Sequence, residues 1–412
     1  MKEGNQMIEL KTKAFWQATL ALGLSSILIF ANIYYPQPLL PLFSEEFQVT
    51  PVVSSLAISL ALLGLGVSFF LYSALSDAYG RKIIIMAAMT LGTLATFAIA
   101  IAPSFEVLLF IRVIQAIALA GIPTACMAYI SEEYSTKGVA VAIGIFISAN
   151  SIGGMGGRLL SGVVTDFTDW RTAFAVMGVL SVLILSIVAV TLPSSRNFQS
   201  KPLELKGLFL NNWEHLKNKP MRYAYIIGGL HFFVFMGIFN FVTYLLSGPP
   251  FYVSTSVLGI LYLTYIAGTV SSTLAGKAAE RLEQTTIMLI GISLMVISLL
   301  VTLVPSFPMI VVALLILSFG FFFVHSTSSS WVTKHADFAK ASASGLYLTS
   351  YYLGGGIGSF YYGWLWSQFA WNGVIAGSLV ILCITSFYTR RLKQIEKKER
   401  SIDSAEHAVN HG

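Results

Sequence analysis

The sequence predicts an all-α membrane protein of twelve transmembrane helices in two six-helix bundles, and three observations predict it. Only 11% of the 412 residues are charged and 56% are hydrophobic, whereas an ordinary soluble domain carries roughly 25% charged residues. The mean hydropathy is +0.75 over the whole chain, so the apolar surplus is spread along it and is not one anchor. All but three of the 25 Lys and Arg fall in loops that alternate onto one side when the apolar runs are numbered from the start. A membrane-crossing helix needs about 20 apolar residues, which leaves room for about twelve spans and no sizeable soluble domain.

The polar, basic stretch Met1 to Lys13 precedes an apolar run too long for a signal-peptide core and without a small-residue cleavage site; the N-terminus is expected to stay attached and cytoplasmic. Apolar runs cover 15 to 43, 52 to 72, 82 to 102, 105 to 131, 138 to 164 and 172 to 193, giving an N-terminal bundle over 1–193. A cytoplasmic central linker, 194–221, follows. Its Leu203, Leu205, Leu208, Phe209, Leu210 and Trp213 fit either an interfacial helix or a flexible connection. The second set runs 222 to 247, 256 to 276, 285 to 304, 308 to 332, 341 to 366 and 371 to 389, a C-terminal bundle over 222–391 with a cytoplasmic tail, 392–412. The three basic residues off the inner side are Arg112 and Arg158, within spans, and Arg171, in an outer loop. This bias places both termini in the cytoplasm, with the chain in the cell membrane. It also explains a pI near 9.1 with no nucleic-acid partner, since inner loops meet an anionic leaflet. Cys126 and Cys383 lie inside apolar runs and read as small core residues.

The halves repeat. Ile143-Gly144-Ile145-Phe146 with Gly153-Gly154 corresponds to Ser344-Gly345-Leu346-Tyr347 with Gly354-Gly355 at an offset of 201, which Trp170 and Trp371 share. Asp77-Ala78-Tyr79-Gly80-Arg81 recurs as Glu280-Arg281-Leu282-Glu283-Gln284 at an offset of 203. A transporter built of two bundles around a midplane site requires such a repeat. Small residues four apart in the fifth and eleventh spans, Gly153 with Gly157 and Gly354 with Gly358, let backbones approach closely; their presence in both halves favours an interface that moves over static packing.

Ionisable groups in hydrocarbon are costly and need a partner or a wet cavity. Within the spans they are Arg112, Arg158, His231 and His325, with Glu106 near the mouth of the fourth. Counting about 1.5 Å per residue, both arginines fall at a similar depth. A guanidinium fork suits an anionic or polyhydroxylated substrate. Arg112 also has a structural alternative, bonding Gln115, backbone carbonyls or Glu106, and a mixed structural and coupling role is favoured for it. Arg158 faces Ser359 at the repeat position, and that asymmetry makes it a candidate for specificity. His231 and His325 are of a type that titrates near neutrality, or are neutral core residues. Asn32, Asn150 and Asn240 offer uncharged hydrogen bonding to substrate or between helices.

Ser76-Asp77-Ala78-Tyr79-Gly80-Arg81-Lys82 resembles the loop signature G-x-x-x-D-x-x-G-R-[RK] of the major facilitator superfamily, with Ser73 at the first glycine; the second copy keeps Gly276 but has Glu280 and Glu283. Arg112-Val113-Ile114-Gln115-Ala116 is similar to the family's fourth-span motif R-x-x-Q-G, and Trp170-Arg171 to its sixth-span start. The stretches 148–159, 325–331 and 346–354 resemble its drug and sugar efflux branch. The resemblance implies that fold, cavity-lining roles for the first and seventh spans, hence Asn32 and Asn240, and a gate at Asp77, Gly80, Arg81 and Glu280 that locks the bundles when the cavity opens outward. One departure is Ala149-Asn150 where the antiporter signature has Gly-Pro.

No Walker A loop, H-E-x-x-H or G-x-S-x-G is present, so ATP-driven pumping and hydrolysis are not expected; nor is any cofactor. The expectation is a secondary transporter, not an enzyme, working by alternating access as a monomer. Its partners are a small-molecule substrate, protons and membrane lipids, and it performs proton-coupled efflux of a drug or sugar. The alternative is uptake or exchange of a small organic anion, or facilitated diffusion. The substrate pathway is expected at Asn32, Arg112, Gln115, Asn150, Arg158, His231, Asn240 and His325.

Overall fold

The computed structural model describes residues 7–200 and 205–410, and side chains there except at 70, 205–209 and 399–410. Leu203 of the linker expectation lies outside the described residues. Along the first half run α1 (Lys13–Tyr34), a 3₁₀ turn (Gln37–Leu39), α2 (Leu40–Glu46), α3 (Pro51–Tyr79), α4 (Arg81–Ala100), α5 (Phe105–Leu119), α6 (Gly121–Glu133), α7 (Thr136–Phe167) and α8 (Trp170–Thr191). Then come α9 (Leu205–Lys217), α10 (Lys219–Ser247), α11 (Thr255–Leu261), a 3₁₀ turn (Tyr262–Thr264), α12 (Tyr265–Ala278), α13 (Gln284–Val301), α14 (Phe307–His335) and α15 (Lys340–Asn410). Among the described residues, eleven helical stretches are long and apolar enough to cross a membrane, and the last is broken at Ala370, whose φ of 48° is not helical. That break divides it into two spans, and the chain is an all-α membrane protein.

Local chemistry explains the starts and breaks. Thr12, Thr50, Ser104, Asp169, Asn218 and Ser254 each cap a helix by accepting a backbone N–H three residues on, meeting part of the need of the first turn's free N–H groups. Asp169 lies between spans, and the bonds it accepts from Thr172 hold its carboxyl below the usual carboxylate range. The first span is not one helix over 15 to 43. Pro36 has no N–H to offer the carbonyl of Asn32, and the chain tightens to a 3₁₀ turn before α2. The eighth span is interrupted by a 3₁₀ turn at Tyr262–Thr264, there without a proline. The repeat is visible in the helix starts, since Trp170 opens α8 and Trp371 follows the break at Ala370.

The linker contains a helix, α9, whose Leu210 and Trp213 stay half exposed. It docks through His215, stacked at 4.3 Å on Phe338 in the loop between α14 and α15.

The glycine stripes pack within the halves, not between them. A Cβ on Gly153 would fall 2.6 Å from the Ile27 carbonyl oxygen, and one on Gly157 2.6 Å from Ala31 Cα, so α7 lies backbone to backbone against α1. Gly354 and Gly358 likewise meet Gly229 and Phe233 of α10. Gly356, from the same run of α15, instead faces α3 of the other half, where a Cβ would sit 2.6 Å from Leu63 Cγ. Between the halves, α3 runs along α15, and α7 packs on α11, with Gly259 so placed that a Cβ would sit 2.7 Å from the Arg158 carbonyl oxygen. Past Arg158 toward the start of α7, this second seam gives way to a cavity.

Candidate functional site

The cavity has a volume of about 610 Å³ and lies between α1 and α7 on one side and α10, α12, α14 and α15 on the other, a size typical of small-molecule sites, roughly 300–1,000 Å³. It extends from Arg158 and Tyr34 to Ile147, Thr333 and Leu348, toward the end of the molecule that carries Arg81. At the opposite end, which carries Asp166, the halves are tied. Asp166 accepts the backbone N–H groups of Thr255 (3.0 Å) and Ser256 (3.1 Å) and the Thr255 hydroxyl. Tyr244 pairs with Ser44 at 2.8 Å and donates to the Leu40 carbonyl at 2.9 Å.

Arg158 forms the cavity's floor. It is 1% exposed, caged by the rings of Tyr34, Tyr262 and Tyr265 at 4.0, 4.5 and 5.1 Å, contacts a cation favours. Its Nε donates to Gln37 Oε1 at 2.6 Å and its Nη1 to the Gly154 carbonyl at 2.8 Å. Gln37 Nε2 donates in turn to Asn240 Oδ1 at 2.6 Å, and Asn240 Nδ2 to Ser359 at 2.9 Å. The two repeat-related positions, Arg158 and Ser359, are thus joined through one glutamine that crosses the halves.

Arg112 does different work. Its Nε donates to the Ala57 carbonyl (3.0 Å), Nη1 to the carbonyl of Asn32 (3.0 Å) and to Gln115, and Nη2 to the carbonyl of Ile33 (2.6 Å). Of these, the carbonyls of Asn32 and Ile33 lie where the Pro36 break ends the ladder of α1, whereas Ala57 lies within α3. Gln115 and Thr96 close the cluster on the Asn32 side chain, which also donates to Ser181. Arg112, Gln115 and Asn32 are fully buried among α1, α3, α4, α5 and α8 and do not line the cavity. The partners of Arg112 are thus Gln115 and backbone carbonyls, and Glu106 is not among them. Both arginines do meet the chain within one turn, at Asn32–Tyr34.

Of the other expected pathway residues, Asn150 and His325 line the cavity. Asn150 accepts from Ser26; His325 Nδ1 pairs with the Tyr347 hydroxyl at 3.1 Å. His231 sits behind the wall, bonded through Nδ1 to the Ile227 carbonyl at 2.6 Å, its ring 5.7 Å from that of His325; Nε2 has no partner among the described residues. Asn240 acts through Gln37 and does not line the cavity.

At the open end Arg81 pairs with Asp77 at 2.6 Å and forks onto both oxygens of Glu132 at 3.0 and 2.5 Å, all within the first half. Gly80, with φ of 102°, makes the sharp turn from α3 to α4 that aims Arg81 back at Asp77. Glu280 is exposed at the end of α12 and is not among Arg81's partners.

Sequence reasoning missed Gln37, Tyr34, Tyr262, Tyr265, Glu132 and Asp166. Gln37 carried a signal: a polar residue between Pro36 and Pro38 inside an apolar run marks a broken span, where irregular backbone lines a cavity. The tyrosines carried none, because aromatic residues are common throughout the chain.

Comparison with known proteins agrees with this architecture. The sequence profile of the Major Facilitator Superfamily matches residues 22–359 and again 261–408. The inner membrane transport protein YnfM of Escherichia coli (strain K12) is 38% identical over 392 residues, 95% of this chain and 94% of its own. An uncharacterised MFS-type transporter of Bacillus subtilis (strain 168), YybF, is 33% identical over 94% of this chain and 97% of its own. Among solved structures, a bacterial homologue of the human lysosomal transporter Spinster, inward-facing and unoccupied, has a TM-score of 0.76 at 18% identity, covering 93% of this chain and 98% of that one. A variant of the nucleoside transporter NupG gives 0.74 at 17% identity, covering 91% and 99%.

Proposed function

The chain belongs to the Major Facilitator Superfamily, and from that membership we propose that it exports a small organic compound in exchange for protons, by alternating access through the cavity above Arg158. That it is a multi-pass membrane transporter and not an enzyme follows from the family. The observation that carries the proposal is the asymmetry of the cavity, walled by both halves, tied shut beyond Arg158 and open toward Arg81. The bias of Lys and Arg puts the Arg81 end and both termini in the cytoplasm, which makes this an inward-facing state with Asp77, Arg81 and Glu132 as one side of a disengaged gate. The division into bundles over 1–193 and 222–391, joined by 194–221, follows the same logic. In this scheme the protein works as a monomer.

His325 is the proposed proton carrier. It lines the cavity, and its neighbours offer a hydroxyl and a second imidazole for passing a proton on. Reconstituted vesicles with a trapped pH-sensitive dye test the scheme, using a panel of sugars, organic anions and lipophilic cations. At least one class should dissipate an imposed pH gradient saturably, and His325→Asn should abolish the proton movement while leaving exchange of labelled compound. Saturable flux indifferent to the gradient in the unmodified protein would refute proton coupling. A second reading, uptake or exchange of a small organic anion, is favoured by one feature: among the described residues no carboxylate lines the cavity.

A further inference from the structure

Arginine has five N–H donors and stays charged at all accessible pH values. Arg158 spends one on Gln37 and one on Gly154, both neutral acceptors, and among the described residues no acid pairs with it. Its Nη2 donates to no described protein group, although the side chain lines the cavity. A cation buried this deeply is costly unless compensated, and three tyrosine faces hold its orientation without supplying negative charge. The contrast with Arg112 is informative, since that guanidinium has donated from all three nitrogens to protein acceptors.

The rest of the wall limits what can bring the missing charge. Among the described residues no second Lys or Arg lines the cavity, so the complement is a single negative charge. Above Arg158 the wall is an aromatic stack, with Phe235 on Phe321 and Phe232 on Tyr351, each at 3.7 Å between centroids. Such a surface takes up flat apolar bodies. Hydroxyls, among them Ser326 paired with Ser272 at 2.8 Å, stand across α12 and α14.

We propose that Arg158 is an anion subsite of the transport cavity, and that the substrate class is a monoanionic aromatic carboxylate whose carboxylate rests on the free Nη edge of Arg158 and whose ring lies on the Phe232–Tyr351 wall. The proposal rests on the cavity being the transport site, as argued above. Gln37 fixes the guanidinium for this contact and ties it to Asn240 across the halves, which makes it a positioning residue.

Thermal melting of the purified full chain tests the assignment. Benzoate, phenylacetate and 3-phenylpropionate are compared with their primary amides, with benzylammonium and with phenyl phosphate. At least one carboxylate should raise the melting temperature saturably, with a half-effect concentration at least tenfold below that of its amide; binding to the folded state stabilises by mass action. Arg158→Lys should erase most of that preference, because a point charge lacks the fork, and Arg158→Gln all of it. If neither variant folds, the carboxylate–amide contrast on the unmodified protein decides. Amides or benzylammonium acting as well as the carboxylates, phenyl phosphate acting better, or no shift with any carboxylate would overturn the assignment. Saturable flux of neutral compounds without carboxylate preference sinks the subsite and leaves transport standing; carboxylates that bind but never cross a vesicle wall leave the subsite and sink the transport scheme.

Discussion

Asp166→Ala should unlatch the closed end of the cavity without unfolding either half. The carboxylate sits at the end of α7 and accepts from Thr255 N, Ser256 N and the Thr255 hydroxyl, acting on the first turn of α11 as a capping anion supplied by the other half of the chain. Losing a cap costs about 0.5–2 kcal/mol, and losing the favourable charge at a helix N-terminus roughly 0.3–1 kcal/mol at an exposed site. Taken together, a cost of about 1–2 kcal/mol falls on the closed state alone, a factor of roughly 5–30 in the ratio of open to closed. Asp166→Asn keeps an acceptor oxygen and should give the smaller part of that shift. Maleimide labelling of Leu258→Cys reads the ratio. Leu258 is 1% exposed on α11, so its labelling rate follows the open population when closing is fast. Cys383 is exposed and is replaced by Ser; Cys126 is buried and stays as the control, since its labelling reports unfolding of the first half. An unchanged Leu258→Cys rate in Asp166→Ala, or labelling of Cys126 at the same pace, would refute the latch.

Arg112→Met should lower stability by about 1–3 kcal/mol in reversible denaturation, because it takes a donor from the buried carbonyls of Asn32, Ile33 and Ala57, of which Asn32 keeps the Tyr35 N–H and Ala57 lies inside α3, and an unsatisfied buried acceptor costs roughly 1–3 kcal/mol; Arg112→Lys should recover little, lacking the planar fork, and stability close to that of the unmodified chain would contradict the network. Gly157→Ala, whose Cβ would meet Ala31 Cα at 2.6 Å, should cost about 1–3 kcal/mol, while Gly156→Ala has nothing within 4 Å and should be neutral or stabilising by up to about 1 kcal/mol; melting temperatures that rank the other way would deny the α1–α7 contact. Asp77→Asn should leave insertion and melting intact but cut transport, as Arg81 keeps Glu132 and loses its gate partner; unchanged flux in vesicles would remove Asp77 from the gate.

Much of the architecture was legible because a membrane leaves so few solutions. Satisfying every backbone group in hydrocarbon forces helices, and apolar length then fixes their number and approximate ends. The internal repeat was equally plain, down to Trp170 and Trp371 opening equivalent helices. The glycine stripes were recognisable as close-packing devices, but their partners were not, since spacing along one helix says nothing of which neighbour fills the groove. Gly153 and Gly157 serve α1, whereas the seam between halves uses Gly259 against Arg158's backbone.

The candidate site divides along the same line. Its residue types were visible in the sequence: arginines, histidines and asparagines inside spans are rare and costly enough to stand out. Their division of labour was not, because it depends on helix rotation and on contacts between residues far apart in the chain. Arg112 and Arg158 look alike in sequence, yet one is consumed by carbonyls of the first two spans and the other is left facing a cavity. Hydropathy determined the solvent and the helices, and residue matches at a constant offset determined the duplication. Only tertiary packing decided which guanidinium keeps a free edge, because that depends on which acceptors the folded backbone happens to bring within 3 Å of each.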